Sequence, residues 1–229
     1  MKITKNRKIL LNNFDAGKVY EPLEAIKILK EKSFVKFNET IDISINLGID
    51  TNKTDQNIKG VINLPKGSGK TVKVAVIANQ DKLDEARSNG ADIVGSEDLI
   101  ETISKSKIDF DILIATPDMM PKLGKVAKIL GPKGLMPNPK LGTVTNEISQ
   151  SVKDAKSGQV KFKNDKSGIV HAGVGKIDFS EEDLLENIKT FYSSVVKSKP
   201  DAVKGSFIRK VTIASTMGVG LNINQASLR

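Results

Sequence analysis

Only a few stretches of this chain hold residues whose type and spacing could do chemistry. The densest is Gly131-Pro-Lys-Gly-Leu-Met-Pro-Asn-Pro-Lys140, with three prolines and two glycines in ten residues. Proline lacks the backbone N–H and locks φ, so neither a helix nor a strand interior fits there. Pro137 and Pro139 also push Met136 and Asn138 toward extended backbone. The stretch reads as a fixed, irregular loop carrying Lys133 and Lys140 and no acid. Upstream, Lys122, Lys125 and Lys128 recur at three-residue spacing on an expected helix ending at Leu130, with no acid after Asp118. A rigid loop with unopposed lysines suits a polyanion. From these residues alone, a stiff loop beside a solvated helix face stands equally open.

Pro65-Lys-Gly-Ser-Gly-Lys-Thr71 looks like a phosphate-binding P-loop but lacks its first glycine, since Leu64 holds that position. It also leads into the β run Val72–Ile77, whereas a P-loop needs a helix N-terminus behind it. His171 is the only histidine and there is no cysteine. Two-histidine and thiolate metal sites and disulfides are therefore excluded, and His171 reads as a surface residue or a nucleic-acid contact rather than a catalytic base. No spacing of carboxylates marks an acid/base pair. Neither a metal nor a cofactor is expected. Ser215-Thr-Met-Gly218 ends a late β run with small hydroxyl groups and glycine. Taken alone it is an ordinary turn, although a threonine hydroxyl there can meet a ribose 2′-OH or a phosphate.

The elements that must position these residues follow from periodicity. Pro22 opens a helix running to about Glu31, with Leu23, Ile26 and Leu29 on its apolar side. Ile41, Ile43, Ile45 and Leu47 alternate with Thr40, Asp42, Ser44 and Asn46, the pattern of a half-buried strand. Val61–Leu64 gives a second strand. Strands at 72–77, 93–94 and 112–115 then alternate with helices at 81–89 and 97–105 and the lysine-bearing helix, and another helix spans 147–156. That alternation argues for a small parallel α/β unit. Val160–Lys163 and Ile169–His171, around the turn at 164–168, read as a hairpin. Ser180-Glu-Glu-Asp183 starts a helix whose face carries Leu184, Leu185, Ile188, Phe191, Tyr192 and Val195. A final strand covers 208–214, and a short helix is expected within residues 1–13.

Both ends are thus α+β in character and the middle is α/β. The expected organisation is a split α+β domain, 1–67 plus 160–229, with a small Rossmann-like three-layer α/β domain, 68–159, inserted into it. Glycine-bearing crossings at Gly67-Ser-Gly69 and Ser157-Gly158 would serve as hinges. Net charge is +9, and it divides as +4 for 1–67, +4 for 160–229 and +1 for 68–159. The terminal domain is therefore the expected main polyanion binder. With no tryptophan and ten Phe plus Tyr, base stacking on an aromatic platform is not the expected mode. No apolar run approaches the roughly 18 residues of a membrane span, and nothing after the basic start resembles a signal peptide. The chain reads as cytoplasmic.

Leu130-Gly-Pro-Lys-Gly-Leu-Met-Pro-Asn-Pro-Lys-Leu-Gly-Thr-Val144 strongly resembles the signature of the L-one family of large-subunit ribosomal proteins, the family of the mobile stalk near the tRNA exit site. Phe37-Asn-Glu-Thr-Ile-Asp42 and Ser215-Thr-Met-Gly218 match it too, in the same order along essentially the whole chain. The resemblance implies the same two-domain architecture, with a monomer when free. It implies binding to the stalk helices of large-subunit rRNA, influence on deacylated tRNA leaving the exit site, and repression of its own operon by binding a similar messenger RNA fold. Carried over residue by residue, the RNA-binding set is Lys36, Phe37 and Thr40 with Ser215, Thr216, Met217 and Gly218, joined by Ser167, Gly168 and His171. Lys133 and Lys140, on the charge of their loop, are expected to add a secondary RNA contact. One departure is Val219-Gly220-Leu221, where the family has a proline-containing continuation. The rival reading is a nucleotide-using α/β enzyme with an incidental basic surface, separable by nucleotide calorimetry beside RNA binding against salt.

Overall fold

The computed structural model describes residues 17–105, 108–139, 142–203 and 205–228. The helix expected within 1–13 lies outside them. The chain forms two compact units, one of residues 1–69 with 160–229 and one of residues 70–159.

The first unit is organised on a five-stranded sheet in the order β1-β10-β9-β2-β8. Its strands are β1 (Val19–Tyr20), β2 (Thr40–Leu47), β8 (Ile169–Lys176), β9 (Ile208–Ser215) and β10 (Leu221–Ile223). β1 is parallel to β10, and the other pairs are antiparallel. The alternation in β2 is realised: Ile41, Ile43, Ile45 and Leu47 are buried. They share one core with two helices, α1 (Pro22–Glu31) and α7 (Glu181–Lys197). Pro22 sits in the first turn of α1, where its missing N–H costs nothing. α7 begins at Ser180, whose Oγ accepts the Asp183 N–H at 3.1 Å, and three acids occupy its first turn. Its apolar stripe buries Leu184, Ile188, Phe191, Tyr192 and Val195, each large side chain stabilising the unit by roughly 1.5–3 kcal/mol. Asn187 lies buried in that stripe. Its amide donates to the carbonyls of Val174 (2.8 Å) and Gly67 (3.0 Å) and accepts the Lys66 N–H (3.2 Å).

The expected hairpin of 160–163 with 169–171 does not form. The turn closes as expected, with Asp165 N–H donating to Ile169 O at 2.9 Å and a single bridge between Asn164 and Val170. Beyond that bridge the two arms part. β7 (Gln159–Lys163) pairs with β3 (Lys59–Asn63) in a separate two-stranded sheet, while β8 pairs with β2. The cause is tertiary. Asn164 is buried and accepts the Ile58 N–H at 2.7 Å while donating to Asn57 Oδ1 at 3.1 Å. Phe162 packs edge-on against Phe191, with ring centroids 5.6 Å apart, and lies over Gly60, where a Cβ would come within 2.7 Å of its ring. These contacts draw β7 to β3 against the local turn signal.

The second unit has three parallel strands in the order β5-β4-β6: β4 (Val74–Ile77), β5 (Ile93–Gly95) and β6 (Ile112–Ala115). Both faces of β4 and β6 are buried, as a parallel sheet between helices requires. Ala75, Ile77, Leu113 and Ala115 join Ile100, Ile103, Met119 and Leu123 in one cluster, which includes α3 (Glu97–Ser104). Val74, Val76, Ile112 and Ile114 join Ala86, Ile148, Val152 and Ala155 in the other, with α2 (Gln80–Ser88) and α6 (Ile148–Lys156). The P-loop-like Pro65–Thr71 leads to β4, and no helix follows until Gln80. The lysine-bearing helix is broken into α4 (Met120–Leu123), a 3-10 turn Gly124–Val126, and α5 (Ala127–Leu130). Gly124, a poor helix former, stands at the break. Among the described residues, no helix is long and apolar enough to cross a membrane.

Candidate nucleic-acid interface

Antiparallel pairing brings three strand ends together in the first unit. Thr40, first residue of β2, is level with Lys176, last of β8, and Ile41 is level with Ser215, last of β9. Residues far apart in sequence therefore meet at one end of the sheet: the loop containing Lys36 and Phe37, and the Ser215–Gly218 turn.

Side chains fix this junction. Thr216 Oγ1 accepts the Thr40 N–H at 3.0 Å and lies 3.3 Å from Thr40 O, to which its hydroxyl donates. Lys176 Nζ donates to Thr40 Oγ1 at 2.8 Å. The buried Glu39 carboxylate accepts the Met217 N–H at 2.8 Å and the Ser33 hydroxyl at 2.8 Å. Gly218 N–H closes the turn onto Ser215 O at 3.1 Å. A Cβ at Gly218 would come within 2.4 Å of Ser215 Oγ, so a larger residue there requires the Ser215 side chain or the turn to move. The Thr216 hydroxyl is thus engaged within the protein. One lone pair remains, so toward a ribose it can act only as an acceptor.

Around this fixed junction stand exposed groups. Lys36 is exposed, and Phe37 and Met217 are each 53% exposed. Phe37, which the family resemblance implies as an RNA contact, lies at the surface. Phe34, in the same loop, is exposed too, so three of the six exposed large apolar side chains among the described residues belong to these two loops. Their grouping on two adjoining loops makes this end the candidate contact surface.

The remaining expected contacts are not at this end. β2 spans roughly 23 Å at 3.3 Å per residue, and Ser167 and Gly168 lie at its other end, where Leu47 N–H donates to Gly168 O at 2.9 Å. Ser167 is exposed, whereas Gly168 is buried against Ile49 at φ +75. The Asp165 carboxylate accepts the N–H groups of Ser167 and Ile169, each at 2.8 Å, and these bonds hold its pKa below the usual carboxylate range. His171 is exposed midway along the sheet, level with Ser44, its Nδ1 3.0 Å from Ser44 Oγ and its Nε2 3.7 Å from Asp165. Asp42 shares the β2 face with Thr40 and Ser44. Partial burial raises its pKa, against the opposing pull of Lys176 and His171. The sheet therefore strings the first-unit residues along one line rather than gathering them into one pocket.

In the second unit, Lys133 is exposed in the loop after α5, and Lys140 lies outside the described residues. The loop is pinned by Asn138 N–H donating to Thr143 Oγ1 at 2.8 Å and by Thr143 Oγ1 donating to Asn138 O at 3.2 Å. Lys122, unopposed along the sequence, bonds Glu97 Oε1 at 2.6 Å, and that bond lowers the Glu97 pKa. The free positive charge here is smaller than the sequence implies.

Sequence reasoning did not single out Glu39, Ser33 or Lys176. Glu39 offered one signal: it lies inside the Phe37–Asp42 motif, directly before the first residue of β2. Among the described residues, no group of three His, Asp or Glu side chains is placed to hold a metal ion. Residues 29–219 match the family model described as the ribosomal protein L1p/L10e family.

Proposed function

This chain belongs to the L1p/L10e family of ribosomal proteins, and on that premise we propose how it acts. Membership makes it a structural constituent of the ribosome that associates with rRNA. Our reading is that it binds the mobile-stalk helices of large-subunit rRNA through the Thr40–Thr216 end of the first unit. The bound stalk then assists deacylated tRNA out of the exit site. The same surface represses its own operon by holding a messenger RNA that copies the stalk fold. The protein works in the cytoplasm, as a monomer until it joins the subunit, by binding rather than catalysis.

The observation that carries this reading is the junction itself. Two loops distant in sequence are locked by the Thr216–Thr40 and Glu39–Met217 hydrogen bonds, and both present exposed residues beside Lys36. A hydrogen-bonded, mixed apolar and basic end suits shape recognition of structured RNA, where 2′-hydroxyl and phosphate contacts dominate. Ser167 and His171 extend the contact along the sheet, and Lys133 and Lys140 add a secondary one.

Titration of the whole chain with an rRNA stalk fragment tests the reading, with operon leader RNA and deacylated tRNA in parallel. Stalk and leader RNAs should compete with each other, and a duplex of equal length should bind at least about tenfold more weakly. Equal affinity for all of them would reduce the surface to a non-specific polyanion binder.

A further inference from the structure

Glu39 is a carboxylate 1% exposed, with no ion-pair partner among the described residues. Burying an ionised group without a counter-charge is costly unless hydrogen bonds satisfy it. Here they do. Oε1 accepts the Met217 N–H at 2.8 Å and Oε2 accepts the Ser33 hydroxyl at 2.8 Å. The Glu39 carbonyl accepts the Ile177 N–H at 2.9 Å. One residue thus ties together the loop after α1, the chain leaving β8 and the turn after β9. The Ile177 bond continues the β2–β8 ladder, whereas the two carboxylate contacts lie outside the strand pairing. What Glu39 sets is the conformation of the turn that carries Thr216, Met217 and Gly218.

We propose that Glu39 is the positioning residue of the RNA-binding end, its carboxylate holding the Thr216–Gly218 turn in the shape that meets RNA. The proposal rests on the reading that this end binds RNA. Glu39 does not touch the RNA. Because it takes the Met217 N–H, that group is not offered to the ligand, and the turn is recognised by its side chains and carbonyls. A charge-assisted bond is about twice as strong as a neutral one, which favours a carboxylate where a mobile turn must be fixed. The geometry needs an acceptor for the Met217 N–H and any hydrogen-bond partner for the Ser33 hydroxyl, so an isosteric amide should serve: its Oε1 accepts the same N–H, and the Ser33 hydroxyl can turn to accept from the new Nε2–H.

The test uses the full chain, an rRNA stalk fragment, and the Met217 amide proton shift in the free protein. Glu39→Gln should leave the Met217 amide proton hydrogen-bonded, with a shift nearer the parent's than that of Glu39→Ala, and bind within about threefold of the parent. Glu39→Ala should move the shift and weaken binding at least about tenfold, a loss of about 1.4 kcal/mol. Ser33→Ala leaves the buried carboxylate in place but removes its orienting donor, so it should move the shift and weaken binding several-fold. It also serves if Glu39→Ala fails to fold. Parent-like affinity in both alanine variants overturns the proposal, as does Glu39→Gln binding as weakly as Glu39→Ala. If the parent itself does not bind the stalk fragment, the functional reading fails. The amide shifts still decide whether Glu39 fixes the turn.

Discussion

Thr216 and Thr40 are 176 positions apart in the chain, yet the hydroxyl of one closes both backbone groups of the other, accepting N–H at 3.0 Å and donating to the carbonyl at 3.3 Å. A side chain thereby continues the β2–β9 ladder one step beyond the Ile41–Ser215 pair. Thr216→Val keeps the shape and removes both bonds. Stalk-RNA affinity should fall roughly tenfold, about 1.4 kcal/mol, with little change in unfolding temperature because the site is open to water. Thr216→Ser should stay within about threefold. Filter-binding titrations of the two variants check this. A valine variant with parent affinity would return the turn to an ordinary strand ending.

Gly218→Ala introduces a Cβ 2.4 Å from Ser215 Oγ, so either the buried Ser215 side chain must rotate or the turn must shift. RNA affinity should drop several-fold while the circular dichroism spectrum is unchanged. Gly205→Ala is the control on the same unit, since no heavy atom lies within 4 Å of its added Cβ. Its φ of +86 costs some stability, but its RNA affinity should match the parent's.

Asn187→Ala removes both the donor to Val174 and Gly67 and the acceptor of Lys66 from a fully buried position. Each unsatisfied buried group costs roughly 1–3 kcal/mol. Chemical denaturation should show a loss of about 2–4 kcal/mol. A loss below about 0.5 kcal/mol would mean that water replaces the amide.

Asp42 gives a pH dependence of stability. Its folded pKa is raised, chiefly by partial burial. The folded state therefore holds the proton more tightly than the unfolded chain, and the ionised form opposes folding. That opposition is present above the folded pKa and disappears as pH falls through it to the unfolded value near 4. Asp42→Asn should be more stable than the parent at neutral pH, and the difference should vanish below about pH 4. Paired thermal melts across that range check the sign, and a parent more stable than the variant at pH 7 would reverse it.

Much of this fold is legible in the sequence where burial is one-sided and periodic. The β2 alternation, the α7 stripe and the near-continuous apolar strands of the second unit all follow from it. What the sequence does not show is which surface a strand edge chooses. Val160–Lys163 reads as one arm of a hairpin, and only the burial of Asn164 and Phe162 sends it to β3 instead. β1 and β10 are two and three residues long, too short for a period to register. At the candidate site the motifs mark Thr40 and Thr216 separately. That one holds the other is tertiary information, as is the part of Glu39 beneath them. The Lys122–Glu97 bond likewise joins residues from different helices that no linear charge count connects.

The account places the RNA-binding surface on the Thr40–Thr216 end of the first unit. Its most direct test is amide hydrogen exchange of the whole chain with and without the rRNA stalk fragment. Protection on binding should concentrate in residues 33–40 and 215–220, with a smaller effect near His171. Salt should weaken the interaction log-linearly, by about 0.7–0.9 per phosphate met. Protection confined to residues 131–139, with 33–40 and 215–220 unchanged, would contradict the account and make the proline-rich lysine loop the primary site.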